Sequence, residues 1–552
     1  MCATRQTDAD GLPFRTLAQQ LEKLPPCQAQ CPNSGDVRGW LGIIAQHEKI
    51  GLPIEEAFDR AWERLAQRNP LPAVIGRICP HPCEDLCTRR DKDGAVSINA
   101  MERFLGDWAI DRKLSLPRGG EVRREESIGV IGSGPASLSF AYQMARRGYG
   151  VTVYERYAVP GGMLRHAIPD YRLPREVLDA EVRRVFELGI ELVTGFELGT
   201  HMTIDELRER HELVFLGLGA QAGRELGIPG EFGAGVMPGI EYLRARKQGE
   251  QAPLGERVLV IGGGNTAMDA ARSARRDGAA VTVLYRRSEA EMPAAKHEVD
   301  DARAEGIAFR FLLAPTSISR DGDAIHGVEA QVMRLGEPDD SGRRRPVPVP
   351  GLTETLAADT VIVAVSQSPD WRGTEGLGES GQWLHTRDDG QLGEDLWAGG
   401  DDRGPGIASR AIAQGRLAAE SAHARLRGEP PPTAESRGPV PYGSVKADFY
   451  ADCQRVPVPR RPQEEWLSMP ELEIDGTISR DQACAEAARC MSCGLCFDCR
   501  QCFMYCNASG FTRIEEPRPG SYFVFAMDAC EGCGKCIEIC PCGYLESRGE
   551  TG

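Results

Sequence analysis

Between residues 119 and 430 the chain alternates short apolar runs with longer stretches whose apolar positions fall three and four apart. Runs such as IGVI (128–131), VTVY (151–154), VLVI (258–261) and VTVLY (281–285) suit strands buried on both faces, and the stretches between them suit helices. That alternation predicts an α/β region built on parallel sheets. Residues 1–118 are rich in helix formers and predict a helical domain. Residues 431–480 are rich in Pro, Arg and Glu, including RVPVPRRPQEEW, a composition expected of an extended linker. Residues 481–552 form a small cysteine-dense terminal module. No repeat of solenoid type is present.

Two strand-to-helix turns in the α/β region carry glycine patterns. In SIGVIGSGPASLS (127–139) the chain turns at Gly132, Ser133 and Gly134 and enters a helix through Pro135 and Ala136. The next strand ends at Glu155, followed by Arg156. Glycines allow the tight turn and the close approach of a pyrophosphate, the helix N-terminus stabilises its charge, and the acid accepts from a ribose. Ser137 stands where a third Gly or Ala is usual, and it is small enough for that packing position. The second pattern, RVLVIGGGNTAMD (257–269), offers Gly262, Gly263, Gly264, Asn265 and Thr266. Its following strand ends not in an acid but in Arg286 and Arg287. Guanidinium forks match a 2′-phosphate that an acid would repel, which favours NADP(H) over NAD(H). A third piece, LWAGGD (396–401), with Gly400 and Asp401, precedes a helical stretch entered at Ile407 and Ala408. It reads as the strand and helix that close a flavin site, with Asp401 meeting the ribityl or pyrophosphate part. The expected fold is therefore α/β with two Rossmann-like dinucleotide-binding domains. FAD takes 119–223 and 365–430, and an NAD(P) domain is inserted at 224–364. An N-terminal helical Fe–S domain spans 1–118 and a ferredoxin-like domain 481–552.

Cysteine changes the picture most. There are nineteen, and neighbours spaced C-x2-C pair poorly with each other but suit metal clusters. Two ferredoxin-type runs stand near the C-terminus, Cys496-x2-Cys499-x2-Cys502-x3-Cys506 and Cys530-x2-Cys533-x2-Cys536-x3-Cys540. In this spacing three thiolates grip one cubane and the fourth reaches to the other. The expected ligand sets are Cys496, Cys499, Cys502 and Cys540 for one [4Fe–4S] cluster, and Cys530, Cys533, Cys536 and Cys506 for the second. Zinc also binds C-x2-C pairs, but the crossed order with Pro541 favours clusters. Cys490 and Cys493 extend the first run upstream, as alternative ligands or as a separate redox or zinc pair. Cys2, Cys453, Cys484 and Cys542 read as ordinary thiols. A net charge of −16 argues against a general nucleic-acid surface. With no run of about 18 apolar residues and no basic-then-apolar start, a soluble cytoplasmic protein without a membrane segment is expected.

The phrases GGMLRHAIPDYRLPREVLD (161–179) and YRRSEAEMPA (285–294) resemble the small subunit of bacterial glutamate synthase and its relatives, over roughly residues 20–430. The resemblance implies FAD held around Gly132, Glu155, Gly161, Gly162, Met163, Leu164, Gly219 and Asp401, and NADPH around Gly262 and Arg286. Hydride then passes directly between nicotinamide and flavin, and no catalytic side chain is expected. Family members open with C-x2-C-x4-C-x3-C; here the first pair is missing, and Cys27, Cys31, Cys79, Cys83 and Cys87 remain. The family's N-terminal domain holds two clusters on seven cysteines and one other ligand, which five cysteines cannot supply, so one [4Fe–4S] cluster is expected, on Cys31, Cys79 and Cys83. Its fourth ligand is open among Cys27, Cys87 and Glu102, the last lying where the family has a non-cysteine ligand. With the terminal module and RCMSCGLC (489–496), the chain is similar to NAD(P)H:acceptor flavoproteins. These serve dissimilatory sulfite reductase, benzoyl-CoA reductase or 2-oxoacid:ferredoxin oxidoreductase systems. The expected activity is an FAD-dependent NAD(P)H:ferredoxin or acceptor oxidoreductase, with a ferredoxin or multisubunit iron–sulfur enzyme as partner. Its rivals are a glutamate synthase small subunit, an electron-bifurcating transhydrogenase subunit, and a non-catalytic assembly subunit.

Overall fold

The computed structural model describes residues 17–547 apart from 121, 251, 375, 379–380 and 432–436. Cys2 lies outside the described residues. The chain forms two compact units: residues 118–428 with 460–476, and residues 1–117 with 429–459 and 477–552.

The first unit holds two five-stranded parallel sheets. One runs Leu396–Ala398, Leu213–Leu216, Ser127–Ile131, Gly150–Glu155, Glu191–Thr194. In chain order this is the doubly wound arrangement, with the reversal between Ser127–Ile131 and Leu213–Leu216. The other runs Ala308–Phe311, Ala280–Tyr285, Arg257–Ile261, Thr360–Val363, Val236–Pro238, with the same reversal beside Arg257–Ile261. Strand residues such as Val130, Phe215, Val260 and Val283 are fully buried, as expected of sheets covered on both faces. The chain leaves the first domain and returns to it through one short antiparallel pair, Ala222–Gly223 with Gln367–Ser368. A three-stranded antiparallel sheet (313–357) completes the inserted domain.

The helices Pro135–Ala145 and Ala408–Arg427 pack closely because Gly415 has no side chain: a Cβ there would lie 2.0 Å from the Ala136 carbonyl oxygen. A buried charge network joins the two dinucleotide domains. Arg172 pairs with Asp269 (2.7 Å) and Glu298 (2.6 Å), Arg276 pairs with Glu305 (2.6 Å), and the Arg276 guanidinium lies 3.9 Å from the centroid of the Tyr171 ring. Such charges are tolerated in the interior only when each has its partner.

The second unit combines the N-terminal helices with the cysteine-dense C-terminal module, which the sequence suggested as separate domains. Strand Ala18–Gln20 pairs antiparallel with Leu545–Ser547, and Lys23 Nζ donates to the Gly543 carbonyl at 2.7 Å. The proline-rich stretch 431–480, expected as a linker, is divided between the units and anchored by single apolar residues. Val456 and Ile478 are buried in this unit, while Trp466 and Ile474 pack on Tyr171 in the other. Among the described residues no helix is long and apolar enough to cross a membrane.

Gly415→Val is expected to force the helices Pro135–Ala145 and Ala408–Arg427 apart. It should lower unfolding stability by about 1–3 kcal/mol or more, read as a lower denaturant midpoint.

Candidate functional site

In the first glycine turn, Gly132 sits at φ +84° with its missing Cβ directed 2.3 Å from the Gly217 carbonyl oxygen, so the turn and the Gly217–Gly219 loop touch backbone to backbone. A Cβ on Gly162 (φ +54°) would fall 2.7 Å from Gly134 Cα, and one on Gly400 (φ +77°) 3.1 Å from Ala136 Cβ. Gly132, Ser133, Gly134, Pro135, Ala136, Gly162, Gly217 and Gly400 thus converge at the switch point. Gly161, Met163, Leu164 and Gly219 lie on the same loops. Gly134 caps the helix Pro135–Ala145 with no side chain on its first amides, which leaves them for a phosphate.

Glu155 is buried and takes part in a closed network. Its Oε2 accepts from Ser133 N–H at 3.0 Å and Ser133 Oγ at 2.5 Å, its Oε1 from Tyr157 N–H at 2.8 Å, and Ser133 Oγ accepts from Gly161 N–H at 2.9 Å. The acid at the end of the second strand thereby holds both glycine loops. Arg156 lies over the Tyr157 ring, 4.9 Å from its centroid. Asp401 accepts from Gly406 N–H at 3.1 Å, and burial pushes its carboxyl up to about 6. Ile407 forms the N-cap of the helix that opens at Ala408.

Asp402 was not singled out from the sequence, although it shares the LWAGGD stretch. It is fully buried and accepts from Leu218 N–H at 3.0 Å and Gly219 N–H at 2.5 Å, fixing the loop that faces the first turn. Burial raises its carboxyl to about 7 against the pull of those amides. His166 is buried beside Gly162, and among the described residues its Nε2 has no hydrogen-bond partner. The backbone cradles that any Cβ would fill, the uncapped helix amides and this orphaned nitrogen together fit a dinucleotide.

The second glycine turn is built alike. A Cβ on Gly262 (φ +147°) would lie 2.2 Å from the Ala364 carbonyl oxygen, and one on Gly263 2.5 Å from the Tyr285 ring. Gly264 caps the helix Asn265–Arg276 with no side chain on its first amides, Thr266 lies in its first turn, and Asn265 Oδ1 accepts from Ala295 N–H at 3.0 Å. The two arginines at the next strand end separate. Arg287 is buried, paired with Asp339 at 2.5 Å and donating to the Arg344 carbonyl at 2.9 Å. It is therefore engaged within the domain rather than free for a phosphate. Arg286 is exposed, and among the described residues its side chain has no hydrogen bond or ion pair.

The thiols fall into sets. Cys496, Cys499, Cys502 and Cys540 line one cavity walled by Phe511, Phe523 and Tyr544. The thiol of Cys540 is held down to about 6 by its hydrogen bond with Cys542, 3.8 Å away. Cys536 is raised to about 11, first by burial and then by Cys530, Cys533 and Cys506, which gathers the second crossed set. Backbone amides already point at these sulfurs: Gly510 N–H donates to Cys506 Sγ at 3.3 Å and Gly532 N–H to Cys530 Sγ at 3.4 Å. Near the N-terminus, Cys83 is raised by burial and by Cys31, Glu84, Glu102 and Cys79. Glu102 is itself raised to about 7 by burial, with Asn69 donating to it at 2.8 Å. The group around Cys31, Cys79 and Cys83 is thus joined by Glu102. Cys27 and Cys87, the other possible fourth ligands, lie elsewhere, with Cys490 and Cys493. Among the described residues no group of three or more His, Cys, Asp or Glu is placed to hold a single metal ion. Cavities ringed by thiols suit a cubane with an iron at each corner, and the two crossed sets and the Glu102 set fit such a cluster.

Two family models match. "Pyridine nucleotide-disulphide oxidoreductase" covers residues 126–415, and "Dihydroprymidine dehydrogenase domain II, 4Fe-4S cluster" covers residues 21–114. The NADP(+)-dependent formate dehydrogenase subunit beta of Moorella thermoacetica is 36% identical over 85% of this chain and 70% of its own length. The glutamate synthase [NADPH] small chain of Halomonas elongata is 36% identical over 72% of this chain and 87% of its own. The NADPH-Fe(3+) oxidoreductase subunit beta of Geobacter sulfurreducens is 38% identical over 62% of this chain, which spans about half (51%) of that relative.

Asp402→Ala leaves the Leu218 and Gly219 amides without their acceptor. It is expected to weaken flavin retention roughly tenfold or more, the equivalent of about 1–3 kcal/mol, measured as flavin fluorescence released on dilution.

Proposed function

The chain belongs to the pyridine nucleotide-disulphide oxidoreductase family, and from that premise we infer that it exchanges electrons between NADP(H) and a partner redox enzyme through FAD and [4Fe–4S] clusters. The observation that carries this reading is the pair of glycine turns at two sheet reversals in one unit, in a chain that also gathers cysteines in ferredoxin order. The turn at Gly132–Ala136, closed by Gly161–Leu164, Gly219 and Gly400–Asp401, is assigned to FAD. The Glu155–Ser133 network orients its loops, and Asp402 fixes the Gly219 segment from behind. The turn at Gly262–Thr266 is assigned to the nicotinamide dinucleotide. When bound, FAD would supply two-electron hydride exchange with the nicotinamide and one-electron exchange with the clusters. The protein's part is to position both dinucleotides, so no acid–base side chain is assigned.

Arg286, exposed at the strand end, is assigned to the 2′-phosphate, with Arg287 holding that strand end through Asp339. The clusters are assigned to Cys496, Cys499, Cys502 and Cys540; to Cys530, Cys533, Cys536 and Cys506; and to Cys31, Cys79, Cys83 and Glu102. The similar proteins from Moorella, Geobacter and Halomonas are all named as subunits or chains of larger NADP-linked enzymes. A separate redox subunit is accordingly the proposed partner. A ferredoxin or a 2-oxoacid:ferredoxin oxidoreductase, benzoyl-CoA reductase or sulfite reductase system is the finer proposal, in the cytoplasm.

Anaerobic titration tests the reading: NADPH is expected to bleach the flavin and cluster absorbance at lower concentration than NADH. Absence of flavin bleaching by either nucleotide would overturn it. In steady-state dye reduction, Arg286→Ala should raise KM for NADPH about ten- to a hundredfold, from a lost charge-assisted bond of about 1.5–3 kcal/mol. The NADH constants and kcat should stay nearly unchanged.

A further inference from the structure

Cys490 and Cys493, three residues apart, are a pair that the ferredoxin order leaves over, and Cys27 and Cys87 are those that the Glu102 group leaves over. These four come from three distant parts of the chain. They line one cavity, as Cys496, Cys499, Cys502 and Cys540 line another. Its remaining wall is mostly apolar, with Val37, Leu41, Val96 and Ile98, beside Thr88, and two buried cations, Arg38 and Arg89, border it. We propose that Cys27, Cys87, Cys490 and Cys493 ligate a further [4Fe–4S] cluster, which joins the N-terminal cluster to the ferredoxin pair. The proposal rests on the cluster reading above.

The electrostatics agree with a shared site. Burial raises the Cys27 thiol, and Cys490, Cys493 and Cys87 raise it further while Arg38 opposes them. Cys490 is pushed up to about 12 and Cys493 to about 11, burial again first. Binding iron releases their protons and spreads the charge over the cluster. A single zinc would crowd four sulfurs to about 3.8 Å from each other, whereas these ring a cavity.

The backbone shows that the pair is delivered to this place. Arg489, immediately before Cys490, is 1% exposed, and its guanidinium donates to the carbonyls of Cys453 (3.0 Å), Ala95 (3.0 Å), Asp93 (3.0 Å) and Gly94 (2.7 Å) and to Glu486 (2.6 Å). Arg89 donates to the Arg489 carbonyl at 2.8 Å, and Arg38 to the Cys493 carbonyl at 2.6 Å. These bonds hold the C-terminal C-x2-C against the segment bearing Cys87 and the helix Val37–Ala45 that follows Cys31. That is where the N-terminal segment lacks an upstream pair of its own.

Chain connectivity makes the site a junction. Cys27 is four residues from Cys31, Cys87 four from Cys83, and Cys493 three from Cys496, so each link spans at most about 14 Å. Tyr450, whose Oη donates to the carbonyl of Met491 in this cavity's lining at 2.6 Å, stacks 5.7 Å from the ring of Phe497 in the lining of the neighbouring one, which puts both sites beside one ring.

The test uses the full chain, reconstituted anaerobically with ferrous iron and sulfide, with iron, sulfide and zinc counted per chain. The wild type should hold about sixteen irons, and Cys490→Ser with Cys493→Ser, or Cys27→Ser alone, about twelve. Flavin should stay bound in both variants, and Cys484→Ser should lose no iron. In the reconstituted wild type, Cys27, Cys87, Cys490 and Cys493 should resist alkylation, which decides the matter even if a variant misfolds. About twelve irons with Cys490 and Cys493 open to alkylation, or about twelve irons with one zinc, would overturn the proposal while leaving the cluster reading intact. A chain that takes up no iron would remove that reading itself.

Discussion

The iron–sulfur unit depends on one fully buried guanidinium. Arg489 satisfies its donors with four backbone carbonyls and Glu486, and Glu486 in turn accepts from the Ser97 and Val456 amides at 2.7 and 2.9 Å. Three stretches far apart in sequence, 93–97, 453–456 and 486–489, are thereby fixed to one another with their polar groups paired. A buried charge stripped of its partner costs about 3–5 kcal/mol, so the arrangement is held together as a unit rather than contact by contact. The cysteines on either side of it inherit their positions from that constraint.

In the other unit the constraint is absence of side chains. Gly132 against Gly217, Gly162 against Gly134 and Gly415 against Ala136 bring backbone within reach of backbone, leaving the helix amides directed at open space. Asp402 and Glu155 then supply acceptors for loop amides that would otherwise be unpaired. Both carboxylates hold the loops around the turn.

What could be read from the sequence follows from how local each signal is. The glycine turns lie between their own strand and helix, so spacing alone locates them, and the ferredoxin order encodes its crossing within each run. The fate of Cys490 and Cys493 has no such mark, because Arg489 and Arg38 bring them beside Cys27 and Cys87 across hundreds of residues. Arg286 and Arg287 look equivalent in the sequence. Both follow the strand Ala280–Tyr285 in a bend, where one side chain is exposed and the other is buried against Asp339. The described part of the proline-rich stretch has little regular structure beyond the short helices Ala447–Phe449 and Glu464–Ser468, and Val456, Trp466 and Ile474 tie it down at intervals too sparse to form a periodic pattern.

The interleaving of the chain's two ends bears on how the protein is made. Arg38 and Cys493 stand 455 residues apart, and at a ribosomal pace of about 5–20 residues per second the second emerges on the order of a minute after the first. The flavin unit lies wholly between them and can fold while the N-terminal helices wait with their thiols uncovered. Closure of the iron–sulfur unit is thus a late event in biosynthesis. A chain stopped before Arg489 would expose both an incomplete thiol set and the apolar wall meant to cover it, which marks such fragments for quality control.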